Sequence, residues 1–168
     1  MNFAIRRLTA EDAEGYRALR LEALQTHPEA YGSSYEEESL RDTAHFARRL
    51  TDTAYFGAFD GDQMVGTAGV DVSRSRNSAH MAMLIGVYLR EGFRGQGRAR
   101  AMLEAALDFA ATCVIQVHLG VGTYNLPARR LYESLGFELY GTEPRALCVN
   151  GKYIDEHLMV RFFDKDHR

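Results

Sequence analysis

Residues 81–110 read MAMLIGVYLREGFRGQGRARAMLEAALDFA, and the rest of the chain is organised around this stretch. An apolar run at 81–89 predicts a strand, Arg94-Gly95-Gln96-Gly97-Arg98-Ala99 a basic turn, and the residues from about Gly97 onward an amphipathic helix. Gly95 and Gly97 have no Cβ, so the backbone bends sharply there and a ligand can come close. The first N–H groups of a helix have no partner within it. With the positive end of the helix dipole they form an anion site. Arg94, Arg98 and Arg100 add full charges, and the turn reads as a cradle for a pyrophosphate rather than a plain basic connection. No Lys-Ser or Lys-Thr pair follows the glycines, as a P-loop requires. Gly92, Gly95 and Gly97 also lack the dinucleotide-binding spacing.

Working outward, residues 114–121 predict another strand, with Val117, Leu119 and Val121 on one face and Gln116, His118 and Gly120 on the other. Asn125 then caps a helix, Pro127 suits its first turn, and Gly136 ends it. The Arg-x-x-Gly-x-Ala of 94–99 resembles the coenzyme A motif of the GNAT superfamily of N-acetyltransferases. NLPARRLYESLGF, residues 125–137, resembles that family's second signature, Asn-x-x-Ala-x-x-x-Tyr-x-x-x-Gly-Phe. The order of predicted elements is similar to the family's over nearly the whole chain.

The resemblance implies a mixed α/β fold: a central, mostly antiparallel sheet whose middle strands splay apart, with flanking helices, as one domain over residues 1–168. It implies that acetyl-CoA is the cosubstrate. The pantetheine arm would pair with the backbone of Val87, Tyr88 and Leu89. The pyrophosphate would rest on Arg94, Gly95, Gln96, Gly97, Arg98 and Ala99, with Arg100 as a further contributor. Asn125 would lie near the pantetheine and Arg129 near the adenosine. Tyr132 is the candidate general acid toward the departing sulfur, and the Val87 N–H the candidate oxyanion donor. Many family members carry a glutamate on the strand before the turn, and MAMLIGVYL has none. His118 is therefore the candidate base, directly or through water, with Asp71 and His80 behind it.

Ahead of this core, residues 3–8 predict a strand and 10–26 a helix capped by Thr9. Residues 42–51 predict a second helix, and Asp60-Gly61 a hairpin between strands at 53–60 and 63–72. Asn150-Gly151 predicts a last hairpin between 137–148 and 152–162. The polar segment at 27–38 reads as a loop. Glu29, Tyr31 and Tyr35 are its candidates for facing a cationic amine, and Glu36, Glu37 and Glu38 would favour such a molecule.

A net charge of −3 argues against general nucleic-acid binding. The two cysteines, Cys113 and Cys148, predict no disulfide framework, fit a reducing cytoplasm, and sit in apolar runs that suggest buried thiols. The N-terminal residues do not read as a signal peptide, no apolar run is long enough to span a bilayer, and the histidines lack zinc-site spacing. The expected activity is acetyl transfer from acetyl-CoA to a small-molecule amine, such as an amino acid or polyamine, by a cytoplasmic enzyme without metal, and the resemblance suggests a homodimer paired through the C-terminal strands. The competing readings are transfer to protein N-termini or lysines, a non-catalytic acyl-CoA sensor, and a generic nucleotide-phosphate binder.

Overall fold

The computed structural model describes residues 2–164. In chain order these form β1 (Phe3–Arg7), α1 (Ala13–Thr26), α2 (Tyr35–Glu38), α3 (Thr43–Asp52), β2 (Ala54–Asp60), β3 (Gln63–Val72), β4 (Met81–Leu89), α4 (Arg98–Cys113), β5 (Gln116–Gly122), α5 (Leu126–Ser134), β6 (Glu138–Val149) and β7 (Lys152–Phe162). The strands make one seven-stranded sheet in the order β1-β2-β3-β4-β5-β7-β6. Every neighbouring pair is antiparallel except β4 and β5. This is the mixed α/β architecture with flanking helices that the sequence predicts.

Local signals set most of the boundaries. The Thr9 N–H donates to Asp12 Oδ2 at 2.8 Å, and the same carboxylate receives Arg6. That anchor folds Ala10–Asp12 into one tight turn, so α1 proper starts at Ala13 rather than at residue 10. Asp42 accepts from the His45 N–H at 2.8 Å and starts α3. The segment at 27–38 is not all loop. Ser34 caps the short helix α2 by accepting from the Glu37 N–H.

Alternate residues of β2 and β3 divide between two cores, as a two-residue side-chain period requires. On one face Tyr16, Leu19 and Ala23 of α1 and Phe46 and Leu50 of α3 pack on Tyr55, Phe59 and Met64. On the other, Met102, Leu103, Ala106 and Leu107 of α4 pack on Val65, Ala68, Val70, Val117 and Leu119. Full burial of a leucine such as Leu103 contributes about 1.5–3 kcal/mol. Both cysteines are exposed, contrary to the buried thiols expected. Cys113 closes the last turn of α4, and Cys148 lies on β6, the edge strand, where apolar neighbours in sequence do not guarantee cover.

The sheet opens between its middle strands. β4 and β5 pair only from Met81 opposite Gln116 to Met83 opposite His118, and then diverge. On its other side β4 slips register against β3 between Thr67 and Gly69. Gly86 stands at that bulge with φ of 59°, which an L-residue adopts only with strain. The bulge re-aims Val87 just above the point where the strands part. Among the described residues no helix is long and apolar enough to cross a membrane, and no group of His, Cys, Asp or Glu is arranged to hold a metal ion.

Candidate active site

The turn before α4 has the character of an anion cradle. Gly95, Gln96 and Gly97 all have positive φ, at 83°, 54° and 73°. The Arg98 N–H donates to Gly95 O at 3.3 Å and the Ala101 N–H to Gly97 O at 2.9 Å. The N–H groups of Gly95, Gln96, Gly97 and Ala99 make no hydrogen bond among the described residues. A Cβ built on Gly95 or Gly97 would meet nothing within 4 Å, so their surroundings are open. Arg94 donates from Nε to Leu89 O at 2.9 Å and reaches His27 Nε2 at 3.3 Å. Arg98 lies over the rings of Phe3 and Phe93.

Two basic candidates are directed elsewhere. Arg100 donates to Glu104 and to Ser134 O at 2.9 and 3.0 Å, tying α4 to the end of α5. Arg129 donates to Glu133 at 2.8 Å, along its own helix, and does not line the cavity described next.

Two cavities meet where β4 and β5 part. One, of about 410 Å³, runs from Arg94, Ala99 and Met102 past Val87, Tyr88 and Leu89 to Tyr132. The other, of about 580 Å³, is lined by Val87 and Tyr132, by the bulge, and by Glu156, Asp71, Arg20 and Arg49. Tyr31, Val87, Tyr124, Asn125, Ala128 and Tyr132 belong to both walls. One cavity thus opens toward the cradle and the other toward α1 and α3.

At the junction, Asn125 caps α5 by accepting from the Ala128 N–H at 3.2 Å. Tyr132 is buried beside Phe137, and burial pushes its phenol up to about 12. Tyr31 donates to Val87 O at 3.0 Å, while Leu89 O accepts from Arg94. A carbonyl oxygen retains a second lone pair in each case. The Tyr88 side chain is drawn away to Glu22 at 2.9 Å, leaving its backbone on the cavity wall.

Several candidates stand in other places than the sequence suggested. Glu29 lines the cradle-side cavity and not the second one, with His27 beside it at 3.9 Å. Tyr35, Glu36 and Glu37 border a separate space against Ala146–Asn150. Glu38 is not available to a cation: it is buried between Arg20 and Arg49, 3.0 and 3.2 Å away. Burial alone would raise its proton affinity, but the two guanidiniums hold its pKa down at about 2.

His118 does not reach the junction either. It lies on the still-paired part of β5, its Nε2 2.8 Å from Gln116 and its Nδ1 3.3 Å from Tyr140, and lines neither cavity. Burial, and His80 nearby, lower its proton affinity. His80 likewise lines neither cavity, whereas Asp71 lines the second.

A carboxylate on the second cavity's wall is one that sequence reasoning passed over. Glu156 on β7 pairs opposite Gly122 and lines the second cavity. It fits because residue 120 is glycine: a Cβ there would fall 2.7 Å from Glu156 Oε2. Burial, and then the facing Glu143, raise its proton affinity, the direction expected of a carboxylate suited to accepting a proton near neutrality. Gly120, a glycine on the polar face of its strand, was the available signal, because it leaves room for a neighbour's side chain.

Comparisons with known proteins identify the family. The model of the acetyltransferase (GNAT) family matches residues 17–137. The L-amino acid N-acetyltransferase AaaT of Escherichia coli (strain K12) is 26% identical over 156 residues, covering 89% of this chain and 93% of that protein. The N-alpha-acetyltransferase RimI of Mycobacterium tuberculosis is 37% identical over 98 residues, 58% of this chain and 60% of that one. The structure of yncA from Salmonella typhimurium with its cofactor acetyl-CoA superposes with a TM-score of 0.83 at 22% identity, covering 100% of this chain and 98% of that one. With the family model spanning most of its length, from α1 to the end of α5, the chain belongs to the acetyltransferase (GNAT) family.

Proposed function

We propose that this enzyme moves an acetyl group from acetyl-CoA to the primary amine of a small molecule, with both bound at once. The observation that carries the reading is the meeting of two cavities at Val87 and Tyr132, one leading to unpartnered turn amides and the other to a carboxylate. The diphosphate rests on the 94–99 turn, the pantetheine arm runs along Val87, Tyr88 and Leu89 and past Asn125, and the thioester ends at Tyr132. The amine enters from the other side, so positioning supplies much of the rate.

Glu156, directly or through water, takes the ammonium proton and passes it to solvent. The freed nitrogen attacks the acetyl carbon, and the Val87 N–H receives the charge that develops on oxygen. The N–C bond forms, the C–S bond breaks, and the second amine proton travels to the sulfur by way of Tyr132. A phenol near 12 lies well above a thiol, at about 8.5. Tyr132 therefore stays protonated at neutral pH and acts as a hydrogen-bond donor until charge has built up on the sulfur.

A second copy of the chain would pair along β6, an edge strand exposing Leu139 and Tyr140.

Thiol release from acetyl-CoA over a panel of amines, polyamines and peptides tests the reading. Turnover on a small amine should fall by about 10²–10⁴-fold in Tyr132→Phe, with coenzyme A still bound. Tight coenzyme binding without turnover on any acceptor would instead mark a sensor. Equal competition by ATP would mark a generic phosphate binder.

A further inference from the structure

At the end of the second cavity away from the junction, two guanidiniums are turned onto one carboxylate. Arg20 donates from Nε and Nη2 to the two oxygens of Glu38 at 3.2 and 3.0 Å. Arg49 donates from Nη1 to the same oxygens at 3.2 and 3.4 Å. An arginine fork is matched by one carboxylate, so the cluster carries one positive charge more than it neutralises. The charge is poorly placed for water to screen it: the side chains of Arg20, Arg49 and Glu38 are 11%, 24% and 7% exposed. Arg20 Nη1 makes no hydrogen bond among the described residues, and all three side chains line the cavity. Glu156 lies toward the junction, against Gly120 of β5 beyond the point where that strand leaves β4, and Asp71 lines the wall opposite Met83. The cavity is therefore bipolar, anionic near the reacting centre and cationic at its far end.

We infer that the acceptor is an amine that also carries a carboxylate, its ammonium lying toward Glu156 and its carboxylate on Arg20 and Arg49. This rests on the acetyl-transfer reading and narrows its substrate class. Tyr31 shows that the two poles are within a small molecule's reach. Its ring lies 5.0 Å from Arg20 Cζ, and its hydroxyl donates to Val87 O at 3.0 Å. One tyrosine side chain thus spans from the guanidinium to the junction. A polyamine lying the same way would set a second cation against the two arginines, an arrangement that disfavours it.

The test is the acceptor preference of the intact enzyme, read by thiol release. L-amino acids are compared with their own amides and with their decarboxylated amines, γ-aminobutyrate with butylamine, and spermidine and a peptide amide are assayed beside them. In kcat/KM the carboxylate-bearing member of each preferred pair should lead by about 10²-fold or more, because a site built to hydrogen-bond a substrate group rejects the analogue lacking it. Arg20→Lys should erase most of that lead by raising KM while protection of the fold by coenzyme A is unchanged. Arg49→Lys, which leaves Arg20 paired with Glu38, should act in the same direction. Equal or faster turnover of amides, decarboxylated amines, spermidine or the peptide amide would overturn the inference while leaving acetyl transfer intact. Release of no thiol with any acceptor would overturn both.

Discussion

Replacing Gly97 by alanine separates the cost of a strained turn from the loss of a ligand site. Gly97 has φ of 73° and ψ of 7°, and the two residues before it also have positive φ. An L-residue held in this region costs about 1–2 kcal/mol, part of which is offset by roughly 0.4–1 kcal/mol from the stiffer unfolded chain. The added methyl meets no protein atom within 4 Å, so no clash enlarges the sum. Fold stability should fall by about 1 kcal/mol or less, a shift of about 2–4 °C in Tm for a chain of this size. Coenzyme A binding should suffer more. If the turn relaxes to relieve the strain, its free amides no longer converge, and each 1.4 kcal/mol lost is about tenfold in Kd. Titration calorimetry on Gly97→Ala should show Kd raised about tenfold or more. Gly61→Ala is the matched control: its φ is 58°, its Cβ also meets nothing, and it lies in the β2–β3 hairpin away from both cavities. It should lose similar stability with Kd unchanged. Equal Kd values for the two variants would refute the cradle.

Glu38→Gln leaves Arg20 and Arg49 close together and buried without a counter-charge, and should cost about 3–5 kcal/mol by denaturant unfolding. In the parent protein this carboxylate sits at about 2, below an ordinary value near ~4.3. Its contribution is fully present above the unfolded value and is lost as pH falls through the folded one, about 3 kcal/mol in all. The acid limb of the stability curve should flatten accordingly in Glu38→Gln. Glu156→Gln should slow turnover at neutral pH by about 10²-fold, and the deficit should shrink as pH rises past the acceptor's own amine, which then arrives already deprotonated. Asn125→Ala removes the cap of α5 and should cost about 1 kcal/mol in thermal unfolding.

The strand–turn–helix at 81–110 was legible because its signals are local: apolar run, glycines, unpartnered helix start. The same holds for the caps at Asp42 and Asn125 and for the Asp60-Gly61 and Asn150-Gly151 hairpins. What depends on the third dimension was not. Periodicity gives a residue's face on a strand but not its height relative to the opening, so His118 could be assigned a face and still lie below the junction. Glu38, in an acidic run, looked available to a cationic acceptor because its partners come from α1 and α3, 18 and 11 residues away. One hint was present: Arg20 falls at the apolar spacing of α1, where an arginine needs a buried partner. Gly86 was a second, since a lone glycine inside an apolar strand often marks a bulge. The 410 and 580 Å³ cavities follow from the divergence of β4 and β5, which no local pattern encodes.

The central claim is that coenzyme A lies with its diphosphate on the 95–99 amides and its arm in the gap above Met83. Amide resonances of the ¹⁵N-labelled protein, followed as coenzyme A is added, test it directly. The account predicts large saturable shifts at Gly95, Gln96, Gly97 and Ala99 and at Val87–Leu89, with Gly61 and Gly151 still. Saturable binding that leaves the 95–99 amides unmoved would contradict it.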